Sequence, residues 1–230
     1  MIGIIGAMSI EVDGLLAIMT GRRDRTYCGI RFSRGKIGGT DVVIARSGVG
    51  KVMASMCASA MITRFAPSLI INTGVAGAVD PTLKIGDIIV SSGAVQHDFD
   101  TSPIDGTPKG WNAELGTVTV QADACSTVVL LRIANEEGIS ARPGIIASGD
   151  SFIADNEKKA ELAAVFGASA CEMEGAAVAA VAAYNHIPFV ILRAISDGAD
   201  NGAHMDFPAF CKFAADNSIR VLSRAIKELG

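Results

Sequence analysis

Apolar and polar positions vary on two length scales along the chain. Short β-branched runs predict buried strands, and longer alanine-rich segments with helical spacing predict helices. The predicted strands span residues 2–5, 28–36, 40–47, 69–72, 87–91, 144–147, 168–171 and 189–195. The predicted helices span residues 9–20, 51–65, 122–137, 174–185 and 207–229. This alternation predicts an α/β fold with a largely parallel or mixed sheet between helices.

Local signals refine two of these segments. Ser9 precedes an apolar periodic run and is a candidate N-cap for the first helix. Gly38 and Gly39 separate two strand-like runs, which predicts a hairpin. Because no linker rich in proline, glycine or serine divides the chain, residues 1–230 are predicted to form one domain.

Composition narrows the class of protein. Half of the 230 residues are hydrophobic and 19% are charged, which excludes a disordered chain and favours a deep core. The net charge is -4 and no long basic block occurs, which disfavours nucleic acid or acidic lipid as a partner.

The apolar stretch 176–195 is interrupted by Asn185, His186, Pro188 and Arg193, so it is not predicted to cross a membrane. The first residues carry no basic leader, and we expect a cytoplasmic protein.

The cysteines give no sign of a metal centre or a disulfide framework. The five cysteines are scattered, and none has the spacing of a zinc ligand set. We therefore expect reduced, mostly buried thiols. His97 with Asp98 and Asp100 could suggest a metal site, but without a second histidine nearby a hydrogen-bonded loop is the favoured reading.

Chemically useful residues follow six of the predicted strands. In open α/β sheets, ligands bind beyond the carboxyl ends of the strands, so these segments are expected to converge. The segments begin at Gly6, Ser47, Thr73, Ser148, Glu172 and Ser196. The segment from Ser47 to Lys51 faintly resembles a phosphate loop, but it lacks the spacing of a Walker A motif.

Several acidic residues stand out within these segments. Glu172 and Glu174 precede a helix that is almost wholly small and apolar, so each carboxylate needs a partner, a ligand or a shifted pKa. Glu11 could instead be a solvated helix residue, and Asp197 could be an N-cap. Carboxylates without metal-ligand spacing, a Cys–His pair or a nucleophile elbow point towards acid–base hydrolysis or glycosyl transfer. Such a reaction needs an acid, a base and support for an oxocarbenium-like transition state.

Seven motifs in this order carry a resemblance that covers most of the chain. They are IGIIGAM with Glu11, SGVGKV from Ser47, NTGVAG from Asn72, KIGDIIV from Lys84, SGDSFI from Ser148, EME from Glu172 and RAISD from Arg193. With them the chain resembles the bacterial methylthioadenosine/S-adenosylhomocysteine nucleosidases of the nucleoside phosphorylase superfamily.

This resemblance implies a three-layer α/β/α sandwich around a twisted mixed β-sheet, and usually a homodimer. It implies hydrolysis of the N-glycosidic bond of methylthioadenosine and S-adenosylhomocysteine, a reaction of methionine salvage. The products would be adenine and either methylthioribose or S-ribosylhomocysteine. No cofactor or metal is implied.

The resemblance also implies roles for individual residues. Asp197 would protonate N7 of adenine, and Glu11 would activate the water, with Arg193 as an organiser. Glu174 would bind the ribose hydroxyls in its ionised form. The remaining substrate-binding residues would be Met8, Val49, Gly77, Phe152, Ile153, Glu172, Met173, Ser196 and Phe207.

Two regions depart from the family pattern. Val75 stands where some members have a serine, which removes one possible hydroxyl contact to the water. The loop between His97 and Trp111 matches only in part. In the family this region reaches the pocket of the neighbouring subunit, and Phe99 and Ile104 are the candidates for that role here.

Three rival functions remain open at this point. A phosphorylase of the same superfamily would need an arginine cluster around phosphate. A nucleosidase for another adenosine derivative, such as aminodeoxyfutalosine, would use the same catalytic residues. A non-catalytic nucleoside-binding protein would be expected to lack Glu11 or Asp197, and both are present.

Overall fold

A computed structural model describes residues 1–197 and 207–230 of the chain. Their strands all belong to one mixed sheet. The strands are β1 (Ile2–Gly6), β2 (Thr20–Tyr27), β3 (Ile30–Ile37), β4 (Thr40–Arg46), β5 (Leu69–Ala78), β6 (Ile88–Gln96), β7 (Val120–Gln121), β8 (Ala141–Ser148), β9 (Ala168–Glu172) and β10 (Phe189–Asp197). The helices are α1 (Ser9–Ala17), α2 (Lys51–Phe65), α3 (Ser102–Asp105), α4 (Ala124–Glu136), α5 (Asn156–Phe166), α6 (Gly175–Tyr184) and α7 (Phe207–Leu229).

Helices cover both faces of the sheet. Buried residues of α2 and α6 pack with one set of strand side chains, which includes Ile5 and Ile191. Buried residues of α1, α4 and α7 pack with the opposite set, which includes Ile4 and Leu192. Because strand side chains alternate between faces, the two helix layers bury both sides of the central strands. The predicted three-layer α/β/α class is confirmed.

Part of the sheet closes on itself, which the strand pattern did not predict. The strands β5, β10, β6, β8 and β9 pair in that order, and β9 pairs again with β5. The other long strands continue outward from β5 as an open sheet in the order β1, β4, β3 and β2. The chain therefore combines a closed ring of five strands with an open wing.

A gap in strand pairing lies where the ring meets the wing. The first half of β5 pairs with β1 from Leu69 to Asn72. The last residues of β5, Gly77 and Ala78, pair with β9. The intervening backbone therefore has no partner strand on that side among the described residues. This gap leaves backbone donors available to side chains, and it places the mouth of a cavity there.

The structure differs from the sequence-based elements in five places. Met8 is the N-cap of α1, and the hydroxyl of Ser9 instead accepts a hydrogen bond from Arg46 at 2.8 Å. The strand β2 and the helix α5 were not predicted, nor were the short elements α3 and β7. The residues of β2 are almost all exposed, so they lack the apolar alternation that identifies a strand.

The helices bear on the question of membrane spans, and the cysteines on thiol burial. None of the helices in the described part of the chain is long and apolar enough to cross a membrane. All five cysteines are free. Cys57, Cys171 and Cys211 are buried, and burial raises the pKa of the Cys57 and Cys171 thiols to about 12. Cys28 and Cys125 are exposed.

Candidate active site

The carboxyl ends of several strands surround one cavity of about 220 Å³. Segments that follow β1, β4, β8 and β9 contribute to its walls, together with the ends of β5 and β10. Its lining comprises Ala7, Met8, Glu11, Val49, Val75, Ala76, Gly77, Ser151, Phe152, Ile153, Cys171, Glu172, Met173, Glu174, Ser196 and Asp197. The cavity therefore has two chemically distinct ends. We refer to Glu11, Glu172, Glu174 and Arg193 as the carboxylate end, and to Phe152, Ile153, Ser196 and Asp197 as the Asp197 end.

Glu11 is held by three backbone N–H groups although it is only 3% exposed. Ala7 and Met8 donate to its Oε2 at 2.7 and 2.8 Å, and Val75 donates to its Oε1 at 3.1 Å. The Val75 N–H is free to do so because it lies in the pairing gap of β5. Burial raises the pKa of Glu11, while Arg193 and the three N–H donors oppose the rise. A buried carboxylate with a raised pKa is suited to accept a proton near neutral pH.

Gly74 is required by the close approach of the groups above it. A Cβ atom at this position would lie 2.5 Å from Oε1 of Glu11 and would also strike the guanidinium of Arg193. The absence of a side chain at Gly74 therefore lets the Glu11 carboxylate and the Arg193 guanidinium both lie close to the backbone of β5.

Arg193 and Glu172 form a fully buried ion pair behind the cavity. Nε of Arg193 donates to Oε2 of Glu172 at 3.0 Å, and its second terminal nitrogen makes a closer contact with the same oxygen. That nitrogen also donates to Oδ1 of Asn72 at 2.6 Å. Glu172 in addition accepts from the hydroxyl of Ser148 and from the N–H of Gly175. Its carboxylate is thus occupied by protein donors, and its main role in this geometry is to hold Arg193.

Glu174 reaches across to the loop that precedes α2. Its Oε1 accepts a hydrogen bond from the N–H of Gly50 at 2.8 Å. Gly50 has φ of +97°, a conformation that side chains disfavour, and this turn points its N–H at the carboxylate. Burial and the nearby charge of Glu172 raise the pKa of Glu174 to about 7. A carboxyl group with a raised pKa can change its charge near neutral pH, so its ionised form remains a prediction from the family resemblance.

Asp197 is the last residue of β10, and it lines the Asp197 end of the cavity. It is 9% exposed, and the hydroxyl of Ser196 donates to its Oδ1 at 3.0 Å. Its Oδ2 lies 3.7 Å from the ammonium of Lys159 on α5. A Cβ atom at Gly77 would lie 2.8 Å from that same oxygen, so glycine is needed here as well. Phe152, which is 60% exposed, and Ile153 form the adjoining wall.

The structure brings together most of the site residues expected from the sequence. Eleven of the thirteen line the cavity, namely Met8, Glu11, Val49, Gly77, Phe152, Ile153, Glu172, Met173, Glu174, Ser196 and Asp197. Arg193 is 1% exposed and stands behind the lining, so it acts on the cavity through Glu11, Glu172 and Glu174. The side chain of Phe207 lies outside the described residues.

The sequence-based reading missed several residues around the cavity. Val75 contributes a backbone donor, and Asn72 and Ser148 support the ion pair of Arg193. Lys159 was missed because it lies on the unpredicted helix α5. The useful signal would have been a lysine within the apolar side of a short helix, since buried lysines normally have a charged partner. In residues 1–197 and 207–230 no group of His, Cys, Asp and Glu has the arrangement of a metal site.

Comparison with known proteins agrees with this geometry. The family model for the phosphorylase superfamily matches residues 1–227. A 5'-methylthioadenosine/S-adenosylhomocysteine nucleosidase of Shewanella putrefaciens is 39% identical over 229 residues, which are 99% of each chain. The chain therefore belongs to the phosphorylase superfamily, and within it to the family of these nucleosidases.

Two solved structures resemble the chain closely. The nucleosidase of Neisseria meningitidis in complex with methylthio-immucillin-A has a TM-score of 0.93 and 33% identity, and the match covers 99% of this chain and 98% of that one. The futalosine hydrolase of Helicobacter pylori has a TM-score of 0.92 and 35% identity, with coverage of 100% and 97%. The family resemblance drawn from the sequence motifs is confirmed.

Proposed function

We propose that this protein hydrolyses the N-glycosidic bond of 5'-methylthioadenosine and S-adenosylhomocysteine. The products are adenine and methylthioribose or S-ribosylhomocysteine. The observation that carries this proposal is the convergence of Glu11, Glu174 and Asp197 on the lining of one cavity, where the buried Glu11 is the candidate base and Asp197 the candidate acid. The names of the curated relatives support the choice of substrates.

In the proposed reaction, Asp197 donates its proton to N7 of adenine as the bond between C1' and N9 breaks. Ionised Glu11 removes a proton from the attacking water, and Arg193 keeps that carboxylate in place. Glu174 accepts hydrogen bonds from the ribose hydroxyls. As positive charge develops on the sugar, the negative charge at the carboxylate end stabilises it more strongly than it stabilises the substrate. No cofactor or metal takes part.

The features around Glu11 favour water over phosphate as the nucleophile. A phosphorylase needs several cations to hold its anionic substrate, and no arginine or lysine is among the residues that line the described cavity. The nearest guanidinium, that of Arg193, is already bound by Glu172 and Asn72. Glu11 would also repel a phosphate group.

A direct assay tests the proposal. The purified protein is incubated with methylthioadenosine, with and without phosphate, and the products are separated by chromatography. We expect adenine and methylthioribose at equal rates in both samples and in the presence of a chelator. Formation of methylthioribose 1-phosphate would establish a phosphorylase, and a requirement for a divalent ion would contradict the metal-free mechanism.

Aminodeoxyfutalosine is a second candidate substrate. The observation that favours it is the equally close structural match to a futalosine hydrolase. The same acid and base would serve, because both substrates present adenine on a ribose. Competition between methylthioadenosine and aminodeoxyfutalosine in one reaction gives the ratio of kcat/KM values and decides which is preferred.

We also propose a homodimer of single-domain subunits, acting in the cytoplasm in methionine salvage. An ion pair of 2.5 Å between Lys51 and Asp98, and a bond of 2.8 Å from the N–H of Asp150 to Asp98, tie three loops together beside the cavity. Val52, which follows Lys51 in the chain, is 76% exposed, and Ile104, six residues after Asp98, is 88% exposed. Large apolar side chains that form an exposed patch are typical of a protein interface, and we propose that these two belong to it.

Light scattering at micromolar concentration tests the dimer. We expect the wild-type protein to show twice the chain mass, and Ile104→Asp together with Val52→Asp to shift it towards the monomer. Val128→Asp is the matched control, because Val128 is 64% exposed on α4, away from this junction. A monomeric wild-type protein would contradict the proposal.

A further inference from the structure

Lys159 is buried, and a buried ammonium group destabilises the folded state unless a negative group lies beside it. It lies in the first half of α5, is 5% exposed, and shares the buried side of that helix with Leu162. The next lysine along the chain, Lys158, points differently and pairs with Glu161 at 2.7 Å. Two neighbouring lysines on one helix thus occupy different environments, and only Lys159 is directed at the cavity wall.

A negative group that accompanies Lys159 among the described residues is Asp197. The ammonium Nζ lies 3.7 Å from Oδ2, and the two side chains are 6% and 12% exposed. Lys159 is not among the residues that line the cavity, so it touches Asp197 from behind. This arrangement mirrors the carboxylate end, where Arg193 stands behind Glu11 and Glu174.

We propose that Lys159 is a positioning residue for the hydrolysis, and that its ammonium orients Asp197 and stabilises the carboxylate that remains after Asp197 has given its proton to the leaving base. This inference rests on the proposed function. Before proton transfer Asp197 is neutral, and afterwards it carries a negative charge against an apolar wall. A cation at this distance interacts more strongly with the second state than with the first, so it lowers the barrier to proton transfer.

The other titratable groups that the structure describes near Asp197 do not supply this charge. Cys171 on β9 and Cys211 on α7 are buried thiols whose pKa values are raised by burial, so both are neutral near pH 7. Glu11 lines the same cavity and is negative when it acts as the base. Among the described neighbours of Asp197, Lys159 is therefore the group that can balance its charge.

A pH–rate profile distinguishes an electrostatic role from a structural one. Lys159→Met keeps the aliphatic chain and removes the charge, whereas Lys159→Arg keeps the charge. A neighbouring cation favours the ionised form of a carboxyl group, so its removal favours the neutral form. We therefore expect Lys159→Met to move the alkaline limb of kcat/KM to higher pH and to lower kcat, with KM little changed. Lys159→Arg should keep the wild-type limb.

Lys158→Met is the matched control, since it removes the same charge one residue away. We expect its pH profile to equal that of the wild type. The inference is overturned if folded Lys159→Met keeps the wild-type limb, or if Lys158→Met shifts the limb by the same amount. It is also overturned if Lys159→Arg behaves like Lys159→Met.

A second measurement separates this inference from the proposed function. The carboxyl carbons of aspartate are labelled with ¹³C, and the signal of Asp197 is assigned by its loss in Asp197→Asn. Its titration is then compared between the wild type and Lys159→Met without any substrate. An upward shift in Lys159→Met supports the inference, and coincident titrations overturn it. A wild-type protein that is inactive on methylthioadenosine would instead refute the proposed function and leave this measurement valid.

Discussion

The two ends of the cavity are built in different ways. At the carboxylate end, Glu11 receives three backbone N–H donors, and Glu172 holds a guanidinium that is 1% exposed. At the Asp197 end, the described contacts of the Asp197 carboxyl group are with one hydroxyl and one ammonium, and Phe152 is 60% exposed. Within the described residues, backbone donors hold Glu11 at the first end, whereas side chains contact Asp197 at the second.

This difference assigns each end a separate task. A base that must hold one water in line with a bond benefits from donors that are already in place, because no reorganisation is then needed during the reaction. An acid that must engage an arriving purine needs an open wall. The comparison teaches that the proposed water-activating end is fixed by backbone donors of the described chain, whereas the proposed acid is positioned by the side chains of Ser196 and Lys159.

The largest expected effect comes from removing either proton-transferring group. We expect Glu11→Gln and Asp197→Asn each to lower kcat by about 100- to 10,000-fold while ligand binding survives. The two changes should differ in stability. In Glu11→Gln the amide NH₂ group faces a backbone N–H that donated a hydrogen bond to the carboxylate. This N–H loses its acceptor, which lowers the free energy of unfolding by roughly 1–3 kcal/mol. Asp197→Asn should cost less.

The pH profiles of these variants sharpen the comparison. Glu11 must be ionised to act, and burial raises its pKa, so activity falls as the pH drops through that raised value. Glu174, whose pKa is raised to about 7 by burial and by the charge of Glu172, contributes to the same acid limb. We expect Asp197→Asn to lose only the alkaline limb. A folded variant of either residue with near wild-type turnover would show that the residue is misassigned.

The next effect concerns the buried ion pair at the carboxylate end. Glu172→Gln leaves Arg193 without its closest counter-charge, and loss of one partner of a buried pair typically costs about 3–5 kcal/mol. Urea denaturation measures this loss. Ser148→Ala, which removes a hydroxyl donor to the same carboxylate but leaves its charge, is the control and should cost less, about 1.5–3 kcal/mol. Equal losses in the two variants would mean that Glu172 does not fix Arg193.

A smaller effect is expected from crowding the Asp197 end alone. In Gly77→Ala the new Cβ would lie 2.8 Å from Oδ2 of Asp197, so the acid must move. A displacement of about 1 Å can lower the rate by up to about 100-fold. We expect kcat to fall while the acid limb, set at the other end of the cavity, stays in place. A moved acid limb would show that the two ends are coupled.

The smallest effect is a gain in stability. Because burial raises the pKa of Glu174, its ionised form costs free energy in the folded state above a pH of about 7, and this cost disappears below the unfolded value of 4.5. Glu174→Gln should therefore raise Tm at pH 8 and leave it nearly unchanged at pH 4.5, although activity falls. A Tm that is raised equally at both pH values would point to packing instead of charge.

The sequence predicted some elements well because their signals are local. The helices α2 and α7 and the hairpin of β3 and β4 follow from apolar spacing, a following proline and paired glycines. The pattern failed for β2, whose polar residues form a strand because they pair with β3 and not because they bury a face. It failed for α5 as well, since a helix with two buried residues gives little periodicity.

The sequence by itself therefore determined the α/β class, the family and the acidic residues at the strand ends. All of these are encoded in short segments. The tertiary structure alone decided that five strands close into a ring, and that Val75 lies in a pairing gap and donates to Glu11. It also decided that Arg193 binds Glu172 from outside the cavity lining and that the Lys159 ammonium lies beside the Asp197 carboxyl group. The physical reason is that these contacts join residues far apart in the chain, and each side chain has its effect only in the buried environment that packing creates.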